Sequence, residues 1–178
     1  MRQNMKNLIS SILTATLMMG TVSVPFIVEA QAQSEANQAQ IEAEFQCLAL
    51  NIYYEARGSN LADKAAVADV VLNRTQDRRY PASICEVVQQ GNKDANGNMI
   101  RNQCQFSWYC DGKSDNPQDL DRWNEAQVIA YNMLTRGKYR GITEGATHYH
   151  ATYVNPRWAS TLQTVGRIGA HIYYRWEE

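Results

Sequence analysis

The apolar positions of this chain change period along its length, and each change marks an element. Within residues 45–58, Leu48, Ile52 and Ala56 fall on one helical face, and Gly58 suits the C-terminal cap. Glu55 projects from the edge of that face, an unusual place for a carboxylate. A second helix is predicted from Leu61 to about Gln76, with Asn60 as N-cap and Asp63 in the first turn. Its Ala65, Ala66, Val67, Ala68, Val70, Val71 and Leu72 leave few exposed positions, so it should be well buried. Residues 84–90 fit a strand or a short helix equally, and residues 94–98 read as a turn-rich loop. A third helix starts after Asn116-Pro117 and ends at Gly137, with Trp123, Ala126, Ala130 and Leu134 turned inward. The tail is rich in β-branched and aromatic residues over 147–154 and 168–176, with a break at Asn155-Pro156. Two or three short antiparallel strands are expected there. The fold class is therefore α+β, with helices first and a small antiparallel sheet near the C-terminus.

The N-terminus has another character. Arg2 and Lys6 precede a mostly apolar run over residues 8–28, and small residues follow as Val28-Glu29-Ala30 and Ala30-Gln31-Ala32. That order reads as a secretory signal peptide over residues 1–30, cut after Ala30 or Ala32. Residues 31–43 are small and polar and read as a flexible leader, leaving residues 44–178 as one catalytic-sized domain. Cleavage would leave no stable membrane span. It would take Lys+Arg from 17 to 15 and Asp+Glu from 18 to 17, a net charge of −2. No basic field exists to hold nucleic acid. Cys47, Cys85, Cys104 and Cys110 are even in number and all follow the cleavage site, as an oxidising compartment favours. Four cysteines allow three pairings. The preferred one closes the short loop Cys104–Cys110 and leaves Cys47 with Cys85. A zinc site is disfavoured because no C-x-x-C pair is present.

Candidate chemistry centres on Tyr53-Tyr54-Glu55-Ala56-Arg57-Gly58. Breaking a glycosidic bond needs a proton delivered to the leaving oxygen, and a carboxylic acid delivers it best when desolvation raises its pKa. Against this stands a surface Glu55 paired with Arg57 or Arg74. The histidines offer a rival chemistry. His148 and His150 lie two apart on a predicted strand, and with His171 and a carboxylate they could hold the Zn²⁺ of a peptidoglycan amidase or peptidase. Otherwise they pack in the sheet or line a glycan cleft. A third possibility is a non-catalytic glycan-binding module built on Trp108, Tyr109, Tyr149 and Trp158.

Dispersed blocks decide among these readings. They are Cys47-Leu-Ala-Leu-Asn-Ile-Tyr-Tyr-Glu-Ala-Arg-Gly, Val67-Ala-Asp-Val-Val-Leu-Asn-Arg, Tyr80-Pro-Ala-Ser-Ile-Cys, Cys104-Gln-Phe-Ser-Trp, Gly145-Ala-Thr-His-Tyr-His and Ile168-Gly-Ala-His-Ile-Tyr-Tyr-Arg. In this order, across about residues 45–175, the chain resembles the SleB/CwlJ family of spore-cortex-lytic enzymes and related cell-wall hydrolases. The resemblance implies a lysozyme-like catalytic domain acting on peptidoglycan glycan strands, with Glu55 at the family's catalytic position. It implies that Gln105, Phe106 and Ser107 lie along the glycan cleft, and Trp108, Tyr149 and His150 from the matched blocks join them as substrate contacts. It further implies lytic transglycosylation, in which one carboxyl group suffices. Were a second needed, Asp63, Asp111, Asp115 and Glu144 are available without distinguishing context. No cofactor is expected. A monomer in the periplasm or secreted medium is expected, and a germination role is not implied, because nothing resembles the spore enzymes' peptidoglycan-binding repeat.

Overall fold

An unbroken buried stretch, residues 63–72, forms most of helix α2 (Leu61–Gln76), and the rest of the domain is arranged around it. The computed structural model describes residues 24–177, so the expected signal peptide lies mostly outside the described residues. The chain forms two units, Met1–Ala36 and Asn37–Glu178. Residues 24–36 of the first are helical, with side chains exposed from residue 29 onward.

Helix α1 runs from Val24 to Ala56, so residues 31–43, expected as a flexible leader, are helical and exposed. The physical reason lies in the same composition. Ala, Gln and Glu are strong helix formers, and extending an existing helix avoids the cost of nucleation. No described helix is long and apolar enough to cross a membrane.

Asn60 caps α2 as expected, its side-chain oxygen accepting the Asp63 N–H at 2.9 Å. One side of α2 joins the main core, where Ala68, Val71 and Leu72 meet Leu48, Ile52 and Tyr53 of α1. Its other side, through Ala66 and Val70, packs on Ala146 and Tyr173. Full burial of each Val or Leu is worth roughly 1.5–3 kcal/mol. The ambiguous stretch forms a short helix, α3 (Ile84–Val88), capped by Ser83. Helix α4 (Leu120–Arg136) is capped by Asp119 and stops at Gly137 in the left-handed region (φ 61°), where a glycine carries no Cβ penalty. Ala126 and Ala130 turn inward as expected and Trp123 packs against the core, but Leu134 is exposed and Ile129 and Met133 are buried instead. The stripe through positions 126, 129, 130 and 133 follows the helical repeat, and Leu134 sits roughly 80° off it.

A hairpin of β1 (Gly91–Lys93) and β2 (Met99–Cys104) flanks the turn at residues 94–98. Its strands are too polar to betray themselves by alternation. Asp94 organises the turn by accepting the Asn96 and Asn98 N–H groups at 2.9 Å each. The C-terminal sheet has the order β3-β5-β4, all antiparallel, with β3 at His148–Ala151, β4 at Gln163–Ile168 and β5 at His171–Arg175. These three strands match the two or three expected, and the β-rich stretch 168–176 holds the end of β4 and all of β5, joined by a turn at Gly169-Ala170. Gly169 has φ 55°, and a Cβ there would stand 2.7 Å from the Asp63 side chain. Cys47 pairs with Cys85, tying α1 to α3, and Cys104 pairs with Cys110 across the turn after β2.

Candidate active site

Glu55 is carried on the last turn of α1, and its neighbours in sequence are pinned on several sides. The Asn51 side-chain oxygen accepts the Trp108 indole N–H at 3.3 Å, and the Tyr54 ring stacks on Trp108 at 4.8 Å. The Tyr53 hydroxyl accepts the N–H groups of Gln118 and Asp119 at 3.2 and 3.1 Å. These contacts leave Glu55 half-buried in a cleft of about 420 Å³. Its far wall is the edge strand β3, all four of whose residues line it.

The Tyr149 hydroxyl donates to Glu55 Oε2 at 3.0 Å. Burial pushes the Glu55 carboxyl above its ordinary range, against the opposing pull of that hydrogen bond and of the His171 and Arg74 charges. Burial, together with the neighbouring Glu55, pushes the Tyr149 phenol well up, so it stays a neutral donor. One carboxyl oxygen is therefore held by a donor, and the other makes no hydrogen bond among the described residues.

Arg74 forms part of the wall and is itself buried. Its Nε–H donates to Thr147 O at 2.7 Å, and its guanidinium lies over the rings of Tyr80 and Phe106, 5.3 Å from each. Its Nη1 has no hydrogen-bond partner in the protein. Burial lowers its pKa, with Tyr80, Tyr149 and Glu55 opposing. Neither Arg57 nor Arg74 forms a salt bridge with Glu55; Arg57 donates to the Tyr53 hydroxyl at 3.2 Å instead.

The cleft gathers Gln105, Phe106, Tyr149 and His150 around Glu55. Ser107 opens a 3₁₀ turn (Ser107–Cys110) and is exposed outside the lining, while Trp108 is turned into the core beneath Tyr54. Sequence reasoning missed Tyr153, 90% exposed at the rim, and placed Arg74 on the surface. The only signal for Arg74 was its place at the end of the Val67–Arg74 block, since α2 also carries Asp63, Lys64 and Asp69.

Among the lining residues Glu55 is the sole carboxylate. Asp63 is buried and accepts from His171 Nδ1 at 2.7 Å and the Tyr173 hydroxyl at 3.2 Å. Burial alone would raise its pKa, but hydrogen bonds from His171, Ser59 and Ala170 hold it below the usual carboxylate range. Asp111 accepts the Lys113 N–H and Glu144 is exposed; they and Asp115 lie outside the cleft lining.

The sheet register separates the histidines. His148 and His150 face the same way as their partners Tyr174 and Ile172, whereas His171 pairs with Ala151 on the opposite face. His150 is held between Ala151 O at 2.9 Å and the Tyr174 hydroxyl at 2.8 Å, and His171 is bound to Asp63. No group of three or more metal-ligating side chains forms among the described residues. All three histidines line the cleft, but the ring nitrogens of His150 are engaged by Ala151 O and Tyr174, and His171 is engaged by Asp63.

Residues 58–174 match the family model described as Cell Wall Hydrolase. The chain belongs to that family. Its members act on the cell wall, outside the cytoplasm, and this hydrolase carries Glu55 just ahead of the matched segment. Two solved structures share its fold. The catalytic domain of the germination-specific lytic transglycosylase SleB from Bacillus anthracis is 22% identical, with a TM-score of 0.54, covering 74% of this chain and 93% of that one. The catalytic domain of the Bacillus cereus SleB protein is 21% identical, with a TM-score of 0.52, covering 75% and 91%. No curated protein matches the chain.

Proposed function

We propose that this cell wall hydrolase is a lytic transglycosylase that cuts peptidoglycan between N-acetylmuramic acid and N-acetylglucosamine, with Glu55 as its single acid and base. The reading is carried by Glu55 being the one carboxylate in the cleft lining, with burial favouring its protonated form. Hydrolysis in the usual manner needs a second carboxylate to activate water or attack the sugar. Here the protonated Glu55 gives its proton to the glycosidic oxygen as the bond from muramic C1 to that oxygen breaks. The resulting carboxylate then takes the proton of the muramic C6 hydroxyl, whose oxygen bonds to C1. The products are a free 4-hydroxyl and a 1,6-anhydromuramic end, no water is consumed, and Glu55 is again protonated. Arg74 steadies the carboxylate between the two steps, since its charge favours the ionised form. Phe106 and Tyr153 offer apolar surface to sugar rings, Gln105 offers polar contacts, and the His150 ring forms part of the wall. The charged start, apolar run and small-residue site of residues 1–30 support export to the periplasm or medium by a cleaved signal peptide.

Glu55→Gln keeps shape and polarity but has no proton to deliver, so release of fragments should fall by at least about 10²–10⁴-fold. Mass spectrometry of fragments from the unaltered protein should show anhydro ends, lighter by one water than reducing ends. Wild-type-like release by Glu55→Gln, or reducing ends alone, would overturn the reading.

A further inference from the structure

A second cavity, about 560 Å³ and larger than the Glu55 cleft, opens behind His148. The two share a thin partition. Asn73 lines the second cavity and Arg74 the cleft; Thr147 lines the second and His148 the cleft; and the Arg74 Nε–H to Thr147 O bond closes the wall between them. The Trp176 ring, on the second cavity's side, lies 5.4 Å from the His148 ring.

The second cavity is polar, with charges of both signs: Arg79, Arg175, Asp77 and Glu144. Each of its arginines has two guanidinium nitrogens engaged and the third left open. Arg79 donates Nε and Nη2 to Asp77 and sits over Trp176, 5.0 Å from the ring, which leaves Nη1. Arg175 donates Nε to Gln163 at 2.7 Å and Nη1 to Glu144 O at 3.1 Å, which leaves Nη2. A guanidinium already fixed through two of its nitrogens can receive a carboxylate oxygen on the third without further ordering. A glycan strand has little use for such a site, since its sugars carry hydroxyls and acetamides. The peptide stem does. Each muramic acid bears a short acidic peptide on its lactyl group, with carboxylates and, where a diamino acid is present, an ammonium that Asp77 or Glu144 could meet.

We propose that this cavity receives the acidic peptide stem of the muramic acid bound in the Glu55 cleft, with Arg79 and Arg175 on its carboxylates. The proposal rests on the glycan-cleaving reading and adds to it a preference for stem-bearing strands. The test compares uncrosslinked glycan strands that keep their stems with the same strands stripped of stems by an amidase, measuring kcat/KM for each by anhydro-end release. The unaltered protein should prefer stem-bearing strands. Arg79→Ala combined with Arg175→Gln should lower kcat/KM on those strands by about tenfold or more, as loss of charge-assisted hydrogen bonds does. On stripped strands it should change kcat/KM by less than about twofold, as surface charges away from the cleft do. Arg79→Ala alone, at an exposed position, repeats the test should the change in β5 disturb folding, with thermal melting as control. Equal losses on both substrates, or no loss on either, would overturn the proposal. Failure of the underlying reading would show separately, as the unaltered protein releasing no anhydro ends from either substrate.

Discussion

At the scale of single residues, the chemistry depends on how Tyr149 and Glu55 share a proton environment. The Tyr149 O–H bond favours the carboxylate form of Glu55, while burial favours the acid form and wins. In the proposed mechanism protonated Glu55 is the active species of the first step, so activity should decline as pH rises through its elevated pKa. Tyr149→Phe removes a stabiliser of the carboxylate, so that pKa rises further and the alkaline limb of the pH–kcat/KM profile moves to higher pH. The rate on the acid side should drop by about tenfold, because an unanchored carboxyl no longer holds its proton-bearing oxygen toward the substrate. A profile that moves to lower pH would contradict the arrangement. The Glu55 half of this pair was legible in the sequence, from a carboxylate at the edge of an apolar helix face and from the resemblance. Tyr149 was legible as a cleft residue but not as the partner of Glu55. The two are 94 positions apart, and only the packing of α1 against the sheet brings them together.

Elements are joined by polar groups that the apolar pattern could not announce. Asp63, read from sequence as a first-turn helix residue, also binds His171, Tyr173 and the Ala170 N–H, which locks α2 to the turn between β4 and β5. Gly169 makes this contact possible by its left-handed backbone and missing Cβ. Gly169→Ala should therefore cost about 2 kcal/mol or more in urea unfolding, from positive φ and from displacing the Asp63 carboxylate. Gly58→Ala is the control, because nothing lies within 4 Å of its Cβ position and its stability should hardly change. Equal effects at the two glycines would refute this account of the turn. The same contact explains the reversal between β4 and β5: β propensity runs through residues 168–176, but the Asp63 contact imposes a turn at Gly169-Ala170.

For the whole molecule, two disulfides act at different ranges. Cys47–Cys85 closes a separation of 38 residues and Cys104–Cys110 one of 6. Chain-entropy arguments give about 4 kcal/mol for the longer loop and about 2 kcal/mol for the shorter. Cys47→Ser with Cys85→Ser should lower the denaturation midpoint more than Cys104→Ser with Cys110→Ser. The shorter bridge, beside Gln105 and Phe106, should instead show its effect in KM. Urea titrations and kinetics on the two double variants check both statements, and the reverse order of stability would count against the loop-length argument.

The sequence by itself determined helices α2 and α4, their caps at Asn60 and Gly137, the even cysteine set and Glu55 as the candidate acid. Each of these is written in local periodicity, in turn chemistry or in a short motif. Tertiary structure decided which groups surround that acid. It buried Trp108 rather than displaying it, moved Arg74 from a surface partner to a cleft wall, and put His171 on the opposite sheet face from His148 and His150. The reason is geometric. Spacing within a segment specifies which way a side chain faces, but which distant segment it then meets depends on strand register and helix packing, and those are set by the core as a whole.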